Sequence, residues 1–131
     1  MIEPQWIRLD VVLTIHAAQL AEHGGREGVR DRGGLESAIA SPRNLLAYGT
    51  PTPDLLAIAA QYAFAIGCNQ VFNDGNKRTA FVIFRTFLIL NGHDLVSPQN
   101  EKYTMIMKLV NREIDAGKLA NWIRARLIPA R

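Results

Sequence analysis

Residues 71–80 read VFNDGNKRTA and form a polar turn between the two most apolar segments of the chain. The turn combines a glycine with two asparagines, and Lys77 and Arg78 follow at once. Backbone N–H groups at a helix start have no partner within the helix, so such a start attracts anions. Two cations strengthen that attraction, and Asp74 is placed to hold a divalent metal beside a phosphate. The segment therefore predicts a site that binds a polyphosphate.

Both segments that flank this turn read as buried helices. On the N-terminal side, Asp54 opens a helix with apolar residues on nearly every face, which indicates a central position. On the C-terminal side, a helix begins at Asn76 or Lys77 and ends at Gly92. Two buried helices would give the turn a rigid mount, which a binding site needs.

The N-terminal half predicts further helices and two loops. Asp10 is expected to cap a first helix that runs to about residue 21, before two glycines end it. Residues 24–34 are rich in glycine and charge and predict a loop. A short helix follows and stops before Pro42, because a residue that precedes proline disfavours helical geometry. Residues 43–48 predict one or two more turns, and residues 49–53, GTPTP, predict a clear break.

The C-terminal part predicts two more helices. Ser97 and Pro98 are expected to form the N-cap and first turn of one helix, and Asp115 is expected to cap the last helix. No segment alternates convincingly enough to predict a strand. The whole pattern predicts an all-α protein, a compact single-domain bundle of about six helices over residues 1–131.

Composition limits the classes of protein to which the chain can belong. Its 131 residues are 48% hydrophobic, which suits one globular domain with a core. No apolar run is long enough to span a membrane, and the N-terminal MIEP lacks the basic and apolar regions of a signal peptide. The single cysteine, Cys68, excludes an intrachain disulfide, so we expect a cytoplasmic protein. The net charge of +3 is spread along the chain, which does not favour direct nucleic-acid binding.

The turn and its surroundings resemble a known family. FNDGNKRTA at residues 72–80 closely resembles the signature of the Fic/Doc family. Lys77 stands where Fic proteins have a second glycine, as in the Doc (death on curing) toxin branch. The similarity extends to residues 16–36, 90–92 and 98–127, so it covers essentially the whole chain. It implies the helical Fic/Doc fold.

The resemblance also implies roles for individual residues. Asn76 and the helix-start amides would hold a nucleotide phosphate, and Arg78 would clamp phosphate oxygens with a forked geometry that lysine cannot copy. Asp74 would bind magnesium or orient the acceptor. Lys77 would favour the nucleotide orientation in which the terminal phosphate is transferred, and Phe72 would anchor the loop. The ATP site would comprise Asn73, Gly75, Asn76, Lys77 and Arg78.

The family supplies an expected function. Doc toxins are protein kinases that phosphorylate elongation factor Tu and so arrest growth, and the C-terminal segment of their antitoxin partner, Phd, folds onto the toxin. The chain is therefore expected to be a toxin of a toxin–antitoxin pair that uses ATP and magnesium, with the antitoxin in a helical groove. Two alternatives remain open: a Fic-type adenylyltransferase, and a non-catalytic module that binds nucleotide or antitoxin.

One position departs from the family pattern. The family's general base is a histidine two residues before Phe72, and this chain has Gln70 there. A carboxamide cannot take a proton near neutral pH, so we expect nucleotide binding with little or no transfer. Either the change was introduced or selected so that a poisonous protein could be produced, or it is natural and leaves a binding module. The otherwise intact motif favours the first explanation.

No other histidine is an obvious replacement for the base. His93 follows the C-terminal end of the motif helix, and about sixteen helical residues would place it roughly 24 Å from the loop. His16 and His23 lie on the first helix, and nothing in the sequence brings them near the motif. For all three, a surface or packing role is the expected one.

Overall fold

The computed structural model describes residues 3–130, which form six helices and one two-stranded sheet. The described residues do not include Met1, Ile2 and Arg131. The two ends of the predicted domain, 1–131, and the first two residues of the MIEP segment therefore lie outside them. In chain order the elements are α1 (Leu9–His23), α2 (Arg32–Tyr48), α3 (Leu55–Cys68), α4 (Asn76–Leu90), β1 (His93–Leu95), α5 (Gln99–Val110), α6 (Ala116–Arg124) and β2 (Leu127–Pro129). The predicted all-α class with about six helices is confirmed.

Helix α3 is the centre of the molecule, as its apolar composition predicts. It packs against α2, α4, α5 and α6, and its buried side chains include Ile58, Tyr62 and Ile66. A Cβ on Gly67 would collide with a methyl group of Val110, so α3 and α5 approach too closely there for any larger residue. Burial of each large apolar side chain contributes about 1.5–3 kcal/mol to folding. The helix that leads into the motif turn is therefore held from several sides.

Two N-terminal predictions are wrong. Asp10 does not cap α1, because that helix begins at Leu9 and Asp10 instead accepts hydrogen bonds from the Arg8 guanidinium. Pro42 does not stop α2, which continues as one helix from Arg32 to Tyr48. A proline inside a helix costs about 3 kcal/mol through its missing N–H and its ring. Pro42 is buried, so packing of α2 on α3 offsets that cost.

Smaller corrections concern loop and helix ends. The loop predicted over residues 24–34 ends at Asp31, whose carboxylate accepts the Gly34 N–H and caps α2. Ser97 does not cap α5, since its hydroxyl donates to the Glu101 carboxylate and the helix begins after Pro98. The break at residues 49–53 and the caps formed by Asp54 and Asp115 are confirmed.

The short strands β1 and β2 were not predicted. They pair antiparallel, with His93 opposite Pro129 and Leu95 opposite Leu127. Three residues are too few to show a period of two in the sequence. The pair joins the segment after α6 to the segment after α4. It lies at the C-terminal end of α4, whereas the motif turn lies at the N-terminal end of that helix.

Candidate active site

The motif turn is a tight connection between α3 and α4 that is anchored in the core. Val71 and Phe72 are buried, as predicted for Phe72. Gly75 is the residue before α4 and has φ +78°, a left-handed conformation that glycine adopts at little cost. A Cβ at Gly75 would also lie 3.3 Å from the Leu20 side chain. The backbone geometry of the turn therefore depends on this glycine.

The Asn76 side chain closes the turn on itself. Its Oδ1 accepts the Phe72 N–H at 2.9 Å, and its Nδ2 donates to the Phe72 carbonyl at 3.0 Å. With both ends of the amide engaged, the side chain shapes the turn, and the backbone N–H of Asn76 and the second Nδ2 hydrogen remain as donors. The contribution of Asn76 to a phosphate site stays a prediction, and its backbone N–H at the helix start is the donor best placed for it.

A second segment, residues 24–31 (the glycine loop), is bound along one side of the turn. Val29 forms a β-bridge with Phe72. The Asn73 N–H donates to the Gly28 carbonyl at 3.1 Å, and its side-chain Nδ2 donates to the Glu27 carbonyl at 2.8 Å. These contacts give Asn73 a clear structural role, and they hold the turn in one conformation.

Asp74 carries a negative charge that the glycine loop stabilises. Its Oδ2 accepts the Arg26 backbone N–H at 2.7 Å, and the Arg26 Nε lies 3.4 Å away. The backbone hydrogen bond and the Arg26 guanidinium hold the pKa of Asp74 below its usual range, so the group is a carboxylate at neutral pH. Roughly half of the side chain stays exposed, which leaves it open to a cation.

Magnesium fits this donor set only together with a nucleotide. Residues 3–130 contain no group of three or more His, Cys, Asp or Glu side chains that could hold a metal. Magnesium is commonly bound through one or two carboxylates plus substrate phosphates and water. Asp74 matches that pattern, and it would supply the single protein carboxylate.

Lys77 and Arg78 lie in the first turn of α4. The Lys77 Nζ donates to the Asn111 Oδ1 at 3.1 Å, and the Arg78 guanidinium lies 4.2 Å from the centroid of the Tyr103 ring. Neither forms a salt bridge in the part of the chain that the structure describes. Their positive charges are therefore not neutralised by the protein, and no side chain within residues 3–130 caps the helix start beside them.

The predicted site residues meet at one cavity of about 300 Å³. Its lining comprises Gly67, Gln70, Asn73, Asp74, Gly75, Asn76, Lys77 and Arg78. Three larger cavities, of about 590, 500 and 350 Å³, lie beside the starts of α6, α3 and α1. Asp115 and Asp54 cap the starts of α6 and α3, and Asp10 lies in the first turn of α1. The cavity at the start of α4 differs from these because its helix start has two cations and no acid.

Gln70 lies at the rim of this cavity in a fixed orientation. It has φ +48°, and its Oε1 accepts a hydrogen bond from the Arg30 Nη1 at 3.1 Å. A guanidinium has only donors, so the amide oxygen must face Arg30 and the NH₂ group is left to face elsewhere. The side chain therefore offers donors where the family pattern has a base.

The sequence did not indicate three residues that contact the motif turn. Arg26 and Arg30 come from the glycine loop, and His16 comes from α1. The His16 Nε2 lies 2.8 Å from the Asp74 carbonyl oxygen, and its ring stacks on Phe72 with 3.7 Å between centroids. The packing role expected of His16 is confirmed, but its place beside the motif was not predicted. His23 and His93 do not line the cavity.

Similarity to known proteins covers the motif turn and the segments that pack on it. The model of the Fic/DOC family matches residues 6–88, from the segment before α1 almost to the end of α4. The chain belongs to the Fic/Doc family. It is 31% identical to the protein named "Protein kinase doc" of Escherichia phage P1 over 113 residues, which is 86% of this chain and 88% of that protein.

A second relative also carries the Doc name. The chain is 40% identical over 75 residues to "Toxin Doc" of Mycolicibacterium smegmatis, covering 56% of this chain and 57% of that protein. Both names support the Doc branch, as Lys77 predicts. In this Fic/Doc chain, the family match includes α1, the glycine loop and the motif turn together.

None of the helices within residues 3–130 combines the length and the apolar character needed to cross a bilayer.

Proposed function

We propose that this Fic/Doc chain is a Doc-type toxin that binds ATP with magnesium and directs the terminal phosphate toward a hydroxyl group of a protein. The observation that supports this most is the start of α4. It has no side-chain cap among residues 3–130, carries Lys77 and Arg78 in its first turn, and borders the cavity that holds the ionised Asp74.

The proposed phosphate contacts follow from this arrangement. The backbone N–H groups of Asn76, Lys77 and Arg78 are the first of α4 and have no acceptor within the helix. The positive end of the helix dipole adds to the two cationic side chains. Arg78 is suited to two parallel hydrogen bonds with phosphate oxygens. Magnesium, held by Asp74 and the phosphates, would neutralise part of the nucleotide's charge.

Phosphate transfer is favoured over AMP transfer for two reasons. The long side chain of Lys77 projects from the first turn of α4, where Fic proteins have a glycine and room for the reversed nucleotide. In addition, the relative from phage P1 is named a protein kinase. By family, the target we propose is elongation factor Tu, the partner is a Phd-like antitoxin, and the compartment is the cytoplasm.

The proposed reaction needs a general base, and Gln70 does not supply one at the position where the family has histidine. The acceptor oxygen forms a bond to the terminal phosphorus while the bond from phosphorus to the ADP oxygen breaks, and the hydroxyl proton must leave. Gln70 cannot take that proton, and Arg30 holds its amide oxygen. Loss of general-base help costs roughly 100- to 10,000-fold in rate. We therefore propose that the chain binds nucleotide but transfers phosphate slowly.

A transfer assay with ATP, magnesium and elongation factor Tu tests the reaction. Gln70→His should raise the rate by roughly 100- to 10,000-fold over the unchanged chain. Gln99→His makes the same chemical change outside the cavity and should have no effect. Mass spectrometry of the target separates added phosphate from added AMP. Equal rates for the Gln70 and Gln99 variants would contradict the assignment of the base position.

The Arg30–Gln70 hydrogen bond also favours a second candidate, a nucleotide-binding module without transfer. In that case Gln70→His would leave ATP binding intact and still give no transfer to any added protein. The transfer rate of Gln70→His therefore distinguishes the two candidates, and calorimetry checks that ATP is bound in both cases.

A further inference from the structure

His16 is a buried side chain of α1 that contacts the motif turn directly. It is 6% exposed, although histidine is a polar residue. Its ring lies flat on the Phe72 ring, with an angle of 8° between the two planes. Its Nε2 lies 2.8 Å from the carbonyl oxygen of Asp74. One side chain thus touches both the apolar anchor of the turn and its backbone next to Gly75.

The contact with Asp74 fixes the proton on the ring. A carbonyl oxygen only accepts hydrogen bonds, so Nε2 must be the donor and must carry a hydrogen. The bond also fixes the orientation of the peptide that joins Asp74 to Gly75. In a trans peptide the C=O and N–H groups point in opposite directions. With its carbonyl held by His16, this peptide turns the Gly75 N–H away from the buried face of α1.

The ring also packs against Gly75 itself. A Cβ on Gly75 would lie 3.6 Å from the His16 Cδ2 and 3.7 Å from its Nε2. These are ordinary contact distances, so the imidazole fills the space directly beside the left-handed residue that starts α4. The glycine loop holds the turn through Asn73 and Asp74, and His16 holds it from the side of α1.

We propose that His16 is a positioning residue for the phosphate site: by donating Nε2–H to the Asp74 carbonyl, it holds the 74–75 peptide in the orientation that leaves the start of α4 open to the nucleotide. It does not contact the phosphates, and it acts through Asp74 and Gly75. The part of this proposal that concerns ATP rests on the proposed function.

Two variants separate the hydrogen bond from the packing. His16→Phe keeps a flat ring on Phe72 but removes the donor, and His16→Gln keeps an N–H donor but removes the ring. By calorimetry with ATP and magnesium, His16→Phe should weaken binding about tenfold, the size expected for one lost orienting hydrogen bond. His16→Gln should stay within about threefold of the unchanged chain.

Val12→Ala is the matched control for loss of packing. Val12 is fully buried, lies one helical turn before His16, and does not line the cavity. The variant should lower the melting temperature and leave ATP affinity unchanged. If His16→Phe bound ATP as tightly as the unchanged chain, or if His16→Gln lost as much affinity as His16→Phe, His16 would be a packing residue only.

An NMR measurement without nucleotide tests the hydrogen bond independently. In the unchanged chain, His16 should show its hydrogen on Nε2, and the Gly75 amide resonance should move in His16→Phe but much less in His16→Gln. A Gly75 resonance that does not move in His16→Phe would overturn the proposal. Failure of the unchanged chain to bind ATP would instead contradict the proposed function, and the NMR result would still decide whether His16 holds the turn.

Discussion

The starts of α3 and α4 lie at opposite ends of consecutive buried helices and are built in opposite ways. At α3, one Asp54 oxygen accepts the Ala57 N–H at 2.9 Å and the other accepts from Arg124 of α6 at 2.7 Å. At α4, Gly75 offers no side chain, and the first turn holds two cations instead of an acid. The α3 start is completed by a carboxylate of the protein, whereas no acidic side chain within residues 3–130 caps the α4 start, which suits the phosphate site proposed above.

The other helices follow the pattern of α3 rather than that of α4. Aspartates cap α2 and α6, and the first turns of α1 and α5 contain an acidic residue. Among the six helices of residues 3–130, α4 alone has neither feature. A cation near a helix N-terminus is unfavourable by about 0.3–1 kcal/mol. Burial of α4 offsets this cost, which is the pattern expected where a site is maintained at the expense of stability.

The largest effect on ATP binding is expected when the Arg78 guanidinium at the start of α4 is removed. Arg78→Ala should weaken ATP binding by roughly 10- to 150-fold, because charged hydrogen bonds contribute about 1.5–3 kcal/mol. Arg78→Lys should recover only part of this loss, because an ammonium group cannot make the paired contact. Calorimetry with ATP and magnesium measures both.

Arg126 provides the matched control for Arg78. Its guanidinium also lies over an aromatic ring, 4.5 Å from the centroid of Trp122, but outside the cavity. Arg126→Ala should leave ATP affinity unchanged. Similar losses for the two arginines would mean that Arg78 acts through general charge or packing.

Making the α4 start resemble the others should change stability and binding in opposite directions. Lys77→Glu places an acid in the first turn, as in α1 and α5, and should stabilise the fold by about 0.3–1 kcal/mol. The same change should weaken ATP binding about tenfold or more, because attraction becomes repulsion at the phosphates. Urea unfolding and calorimetry on one protein sample test both. A variant that lost stability and kept its affinity would contradict the comparison.

Removing the N-cap of α3 should lower the stability of the fold without changing ATP affinity. Asp54→Ala removes a helix cap and should cost about 0.5–2 kcal/mol of unfolding free energy. Because Asp54 does not line the cavity at the start of α4, ATP affinity should not change. A fall in affinity as large as that of Arg78→Ala would show that the two helix starts do not have separate roles.

The smallest expected effect is on the pH dependence of stability. Burial acts to raise the pKa of Asp54, but the Ala57 amide and Arg124 outweigh it and hold the pKa below its usual range. A carboxyl group whose pKa is lowered by folding stabilises the fold at pH values above its unfolded pKa of about 3.9. That contribution is lost as the pH falls through the folded pKa. Asp54→Asn should therefore lose less stability than the unchanged chain between about pH 5 and about pH 2. Parallel urea midpoints over this range would contradict the expectation.

The sequence predicts the part of the fold that carries the motif. Helices α3 and α4 are recognisable because long apolar runs are bounded by Asp54, Gly75 and Asn91-Gly92, which are local signals. Pro42 misleads because its local effect is outweighed by burial against α3, which the sequence does not display. The pairing of β1 with β2 is likewise a contact between distant segments.

For the candidate site too, the sequence predicts the local part and misses the contacts between distant segments. Residues 70–78 are adjacent in the chain, so the motif itself shows that they meet. Arg30 is 40 residues from Gln70, Arg26 is 48 residues from Asp74, and His16 is 58 residues from Asp74. No local spacing reports such contacts. The residues that hold the site in place are therefore the ones that only the fold discloses.

The most direct test of the phosphate site compares ATP with adenosine by calorimetry on the unchanged chain with magnesium present. If the start of α4 binds phosphate, ATP should give saturable binding that depends on magnesium, and adenosine should bind at least tenfold more weakly. Equal affinity for the two ligands, or no detectable binding of ATP, would contradict the account.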